Sequence, residues 1–137
     1  MTLDAGARFS TDFELLRGRV GRLEIDYAVV CGPESVMEMT AKVDGSGDDR
    51  IVIRESGELS GEGATGVLTT KVALRDRARA EVINRLRATA PRARGHVDCK
   101  EIVQGRAQAL AVPEVEVLHP QAHVTHEAAI GSVDSKQ

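Results

Sequence analysis

The sequence has no Trp, one Tyr and two Phe in 137 residues. A β-sandwich usually relies on large rings to fill the space between its sheets, so this scarcity argues against one. It also leaves no stacking surface for single-stranded nucleic acid. An excess of one charge is missing too: 18 Lys and Arg face 21 Asp and Glu, a formal net charge of −3. There is no basic field to collect phosphates, which argues against nucleic-acid binding. No apolar run approaches the ~18–20 residues of a membrane span. The opening MTLDAGARFSTDF has acidic residues early and no apolar stretch of signal-peptide length. There are two cysteines, Cys31 and Cys99. With no sign of export, free thiols in a reducing cytoplasm are the simpler expectation. Cys-x-x-Cys, His-Glu-x-x-His, Gly-x-Ser-x-Gly and a phosphate-loop motif are all absent. A structural zinc or four-cysteine ferredoxin site cannot be built from one chain, and an autonomous hydrolase or NTPase is disfavoured.

What is present is hydrophobicity in short pieces rich in Val and Ile. Segments 22–27, 36–40, 50–54, 66–70 and 113–117 are examples, several with apolar residues at i and i+2. That is the two-residue period of a strand with one buried face. Turn chemistry separates them: Cys31-Gly32-Pro33, Asp44 to Asp48, Ser60 to Gly63, and His119-Pro120. The length suits one domain, residues 1–137. Short strands with few rings and no Asn-Gly hairpin signal predict an all-β solenoid filled by ladders of Val, Ile, Leu and Ala, although no exact repeat is visible. Residues 76–90 read differently. Ala78, Val82 or Ile83, and Leu86 stand near helical spacing, so periodicity alone favours a helix there over a strand.

The chemistry lies towards the C-terminus. His96, His119, His123 and His126 all fall in the last 42 residues, with Cys99 among them. Thiolate and imidazole suit iron, zinc and copper. The segment Gly95-His96-Val97-Asp98-Cys99-Lys100-Glu101-Ile102-Val103-Gln104-Gly105 is followed by Ala109, Val112-Pro113 and His119-Pro120. It ends in Val124-Thr125-His126-Glu127-Ala128-Ala129-Ile130-Gly131, then Asp134 and Lys136-Gln137. Together with 48–53 and 59–64, this resembles the core domain of the SufB/SufD family, scaffold proteins of Suf iron–sulfur cluster assembly, in its compact archaeal form.

The resemblance implies a right-handed parallel β-helix, which turns the expectation for 76–90 towards strand. It implies a cytoplasmic scaffold without turnover of its own, holding a transient iron–sulfur cluster. The implied partners are a SufC-like ABC ATPase and a second β-helix, as a homodimer or a SufB–SufD-type heterodimer. No nucleic-acid or membrane partner is implied. The implied ligands are Cys99, Glu127 and His126. A thiolate ligates iron and accepts sulfur, while imidazole and carboxylate hold it less firmly, easing transfer. Cys99 and Glu127, 28 residues apart, are expected on nearby rungs about 4.8 Å apart. Family members continue into a helical segment and carry an N-terminal region, so a core fragment or short member is expected.

Other readings stay open on the residues alone. One is a structural dimerisation module with no cluster. Another is a zinc-binding enzyme domain using His96, His123 and His126. Considered singly, Cys99 is a small buried apolar residue, His126 a core histidine and Glu127 a strand-edge charge. His96 and His119 suit turns, Cys31 a loop thiol without a role, and Asp48-Asp49-Arg50 and Arg92-Ala93-Arg94 solvated turns. His123 should share Thr125's face, opposite Val124 and His126.

Overall fold

The structure is a computed structural model and describes residues 1–16 and 21–133. Its strands are β1 (Thr2–Leu3), β2 (Arg8–Leu15), β3 (Arg22–Cys31), β4 (Val36–Gly45), β5 (Arg50–Leu59), β6 (Thr65–Leu74), β7 (Arg79–Ala88), β8 (Arg94–Gln104), β9 (Gln108–Val117) and β10 (His123–Val133). There is no helix among the described residues, and none therefore long and apolar enough to cross a membrane. Odd-numbered strands form one sheet in the order β1-β3-β5-β7-β9, and even-numbered strands the other, β10-β8-β6-β4-β2. Every pairing is parallel. The chain thus winds as a β-solenoid of about four turns, as expected.

The coil length sets everything else. Val36 stands beside Thr65 and Thr65 beside Arg94, a step of 29 residues that holds from there onward. In the first coil the step is 28, as in Arg22 beside Arg50. Alternate side chains of each strand point inward, so interior columns run through the stack. Ile25, Ile53 and Val82 make one, and Met39, Leu68 and Val97 another; all six are buried. The three rings, Phe9, Phe13 and Tyr27, are half-buried on the first coils and pack against the apolar clusters there.

The corners are equally regular. Glu34, Gly63 and Arg92 all have positive φ, and each N–H donates to a carbonyl of the next coil, at Glu62, Pro91 and Gln121. Gly47, Asp76 and Gly105 repeat the conformation at the opposite corner. Left-handed backbone is uncommon without glycine. Here Arg92 Nη2 lies 3.2 Å from both Glu34 Oε1 and Glu62 Oε1, tying three successive turns together. Gly61 is needed for contact: a Cβ there would lie 2.1 Å from the backbone of Gly32 and Pro33.

Residues 79–88 form a strand, as the resemblance implies, where periodicity alone favours a helix. Their inward set is Ala80, Val82, Asn84, Leu86 and Ala88, and the polar Asn84 hides the alternation. Two expectations change. Cys31 ends β3 and is fully buried rather than in a loop. Asp49 is buried, not solvated: its carboxylate accepts the N–H groups of Gly21 at 2.9 Å and Ser46 at 3.0 Å, closing a corner.

Between the apolar clusters lie buried polar groups. Thr70 Oγ1 donates to Glu55 Oε1 at 3.0 Å; Asn84 Nδ2 donates to Glu55 Oε1 at 3.1 Å and Thr70 Oγ1 at 3.0 Å. Glu55 Oε2 and Asn84 Oδ1 have no partner. Acceptors are in surplus, and a proton on Oε2 turns one into a donor. Burial accordingly pushes the Glu55 carboxyl up to about 7, against the lowering effect of Thr70 and Asn84.

Folding therefore takes up a proton between the ordinary 4.5 and about 7. The stabilisation from protonated Glu55 is fully present below that window and is lost as pH rises through it, at about 1.4 kcal/mol per pH unit. Glu55→Gln should flatten this part of the profile in urea unfolding measured from pH 4.5 to 8; equal slopes in wild type and variant would refute it. Gly61→Ala should lower stability by about 2–3 kcal/mol through overpacking. Gly131→Ala, where a Cβ meets nothing within 4 Å, should stay within about 0.5 kcal/mol of wild type in the same assay.

Candidate functional site

β8 and β10 run side by side in parallel and carry the residues singled out in the sequence. Register places Thr125 on His96, His126 on Val97, Glu127 on Asp98 and Ala128 on Cys99. Along β8, Val97, Cys99 and Glu101 point inward and are buried, while His96, Asp98 and Lys100 point outward. β10 is an edge strand among the described residues, with no further coil stacked on it.

Cys99 is 1% exposed, and its thiol donates to Glu101 Oε1 at 2.8 Å. Burial, then the Glu101 carboxylate, pushes the Cys99 thiol well above its ordinary range. It is held as a thiol, and a thiol is neither a strong nucleophile nor a metal ligand. Cys31 belongs to the other apolar cluster and its thiol is also pushed up by burial; both cysteines are free.

The three expected ligands are brought to neighbouring rungs but not to one face. The coil is 29 residues long here, so the residue stacked on Cys99 is Ala128. Glu127 stands one position earlier, beside Asp98, and a one-residue offset turns a side chain to the other side of the sheet. Sheet backbone therefore separates the Cys99 thiol from the Glu127 carboxylate. His126 holds an inward position in register with Val97 yet is exposed, because β10 is an edge. His123 and Thr125 share the outer face, as expected, opposite His126 and Val124. His96, His123 and His126 do not converge, since His126 faces the other side. His119 lies in its expected corner, where its Nδ1 accepts the Gln121 N–H at 3.0 Å. Asp134, Lys136 and Gln137 of the sequence signature lie outside the described residues.

The outer face does assemble a donor set. One ring nitrogen of His96 and one carboxylate oxygen each from Asp98 and Glu127 lie within 4.8 Å of one another. His96 lies within β8 rather than in a turn. Its Nδ1 is 2.6 Å from Thr125 Oγ1 on the neighbouring strand. Asp98 Oδ1 is buried without a partner, and Asp98 Oδ2 is 3.9 Å from Lys100 Nζ. Asp98 and Glu101 were not among the residues the sequence singled out. The signal that finds Asp98 is the 29-residue step back from Glu127; Glu101 is found by its two-residue step from Cys99.

Comparison with known proteins agrees with this architecture. The family described as "SUF system FeS cluster assembly, SufBD core domain" matches residues 2–137. An iron–sulfur cluster assembly SufBD family protein of Methanocaldococcus jannaschii is 33% identical over 135 residues, 98% of this chain and 43% of the relative. One from Pyrococcus horikoshii is 36% identical over 135 residues, 98% of this chain and 41% of the relative. A third, from Archaeoglobus fulgidus, is 27% identical over 97 residues, 61% of this chain and 25% of the relative. The chain thus spans less than half the length of the curated relatives it matches. The coverage of the core domain and the identity to these relatives place the chain in the SufBD family of iron–sulfur cluster assembly proteins.

Proposed function

We propose that this solenoid is a scaffold component of iron–sulfur cluster assembly that holds a nascent cluster at its last coil. It has no turnover of its own; ATP hydrolysis belongs to a SufC-like ABC ATPase partner. The observation that carries the reading is that β10, an edge strand among the described residues, presents His126 and Glu127 beside the coil that holds Cys99. His126 and Glu127 are the accessible ligands. Cys99 supplies thiolate when the coil bearing Ala128, its neighbour in the column, loosens. A ligand released from cover only during loading suits a scaffold that must also give its cluster up. Dimerisation through the same end, with a second copy or a related solenoid, fits the exposure of Val115, Val117 and Ile130 there. That exposure equally supports a second reading, a dimerisation module that carries no cluster.

Anaerobic reconstitution with iron and sulfide separates the two. The wild type and Cys31→Ala should gain a visible chromophore and acid-labile sulfide, while Cys99→Ala and the Glu127→Gln, His126→Ala double variant should lose most of both. A wild-type chain that takes up neither, alone or with a Suf-type ABC ATPase present, would leave the dimerisation module standing. Before loading, Cys99 in the folded chain should react with a thiol reagent about 100-fold or more slowly than in urea, as expected of a buried, protonated thiol. Equal rates would remove the protected state that the proposal assigns to Cys99.

A further inference from the structure

We infer that His96, Asp98 and Glu127 form a mononuclear site for a divalent first-row transition metal on the outer face of the solenoid, separate from Cys99. The argument begins with a cost. Asp98 and Glu127 are direct register neighbours, and like charges directly opposite each other on adjacent strands are destabilising. The same outward column holds Thr40 and Thr69 on the two preceding coils. The carboxylate pair is therefore confined to the last two rungs, where His96 adds a nitrogen donor. A cation between the carboxylates converts that repulsion into attraction.

Two further observations point to a ligand. Asp98 Oδ1 is buried with no partner, an expensive condition for a carboxylate oxygen. The His96 ring is tied to Thr125 at 2.6 Å, the kind of orienting contact that ligating imidazoles keep through their second nitrogen. Thr125 and Glu127 belong to the same strand, so the pairing that delivers the third donor also aligns the ring. The donor atoms lie within 4.8 Å of one another. Ligation at about 2.0–2.2 Å requires them to close to roughly 3 Å. Glu127 is exposed and free to swing; His96 and Asp98 are partly buried on the inner of the two strands.

The donor set selects the ion. One imidazole with two carboxylates suits iron(II), cobalt(II) or zinc, while magnesium and calcium prefer oxygen ligands throughout. No thiolate takes part, because Cys99 is on the other side of the sheet. The site shares Glu127 with the proposed cluster ligands but needs no sulfide and no cluster, so metal binding without sulfide, and its dependence on His96 and Asp98, test it apart from the scaffold function.

The test uses the metal alone, without sulfide. Cobalt(II), read by its visible spectrum, and zinc, read by calorimetry, are titrated into the 137-residue chain. One ion per chain is expected in the wild type, not displaced by excess magnesium. His96→Ala, Asp98→Asn and Glu127→Gln should each weaken binding at least tenfold. Thr125→Val, which removes only the orienting contact, should weaken it by about tenfold or more. Cys99→Ser and His123→Ala should bind as wild type does. These outer-face substitutions should leave the far-ultraviolet circular dichroism unchanged, so lost binding is not lost folding. Absence of saturable one-to-one binding in the wild type overturns the site. So does undiminished binding in an Asp98→Asn, Glu127→Gln double variant, or loss of binding in His123→Ala.

Discussion

Parallel stacking at a fixed coil length is the constraint on which the rest of this molecule depends. Once Thr65 lies beside Arg94, every later residue has its neighbour assigned. The interior columns, the left-handed corners and the pairing of Asp98 with Glu127 all follow from that one step. Hydrogen bonds between coils continue through the corners, from Gly63 to Pro91 at one and from Arg106 to Asp76 at the other, so the register is held at both turns as well as along the strands. A residue inserted into any coil would turn the downstream part of that strand inside out relative to its neighbours.

The polar interior reinforces this register. Glu55, Thr70 and Asn84 come from three consecutive strands and meet in one place. Displacing β6 or β7 by one residue would take the Thr70 or the Asn84 donor away from the buried Glu55 carboxyl, which costs more than an apolar misfit. The apolar columns are less discriminating, because Val, Ile, Leu and Ala substitute for one another with modest penalties. Stability comes mainly from the apolar clusters on either side, and uniqueness of stacking from the polar groups between them.

Strands were legible where alternation was clean. In β3, Leu23 and Ile25 alternate with Glu24 and Asp26, and in β4, Met37 and Met39 alternate with Glu38 and Thr40. The 79–88 segment misled because Asn84 occupies an inward position while Ile83 sits on the outer face. The repeat itself was hidden by the tolerance of the corners. Pro91 and Pro120 are 29 residues apart, but Glu34, Gly63 and Arg92 share one backbone conformation with three different side chains. Resemblance supplied Cys99, His126 and Glu127, yet it could not say which side of the sheet each would occupy. That depends on whether the coil is 28 or 29 residues long, a quantity set by stacking rather than by any local motif. Asp98 escaped notice for the same reason, since its significance comes from a neighbour one full turn away.

The placement of the rings makes the two ends of the stack unlike. Phe9, Phe13 and Tyr27 fill the first coils, whereas the inward residues of the last coil include Ala109, Ala111 and Ala128. Coil stability in a solenoid is roughly local and passed between nearest neighbours, so amide protection should grade along the axis, strongest in the middle coils and weakest around β9 and β10. Opening then has a direction. Among the described coils, parting costs least beside the alanine-lined rungs, so the strand bearing the exposed histidine and glutamate separates more readily than the ring-filled coils.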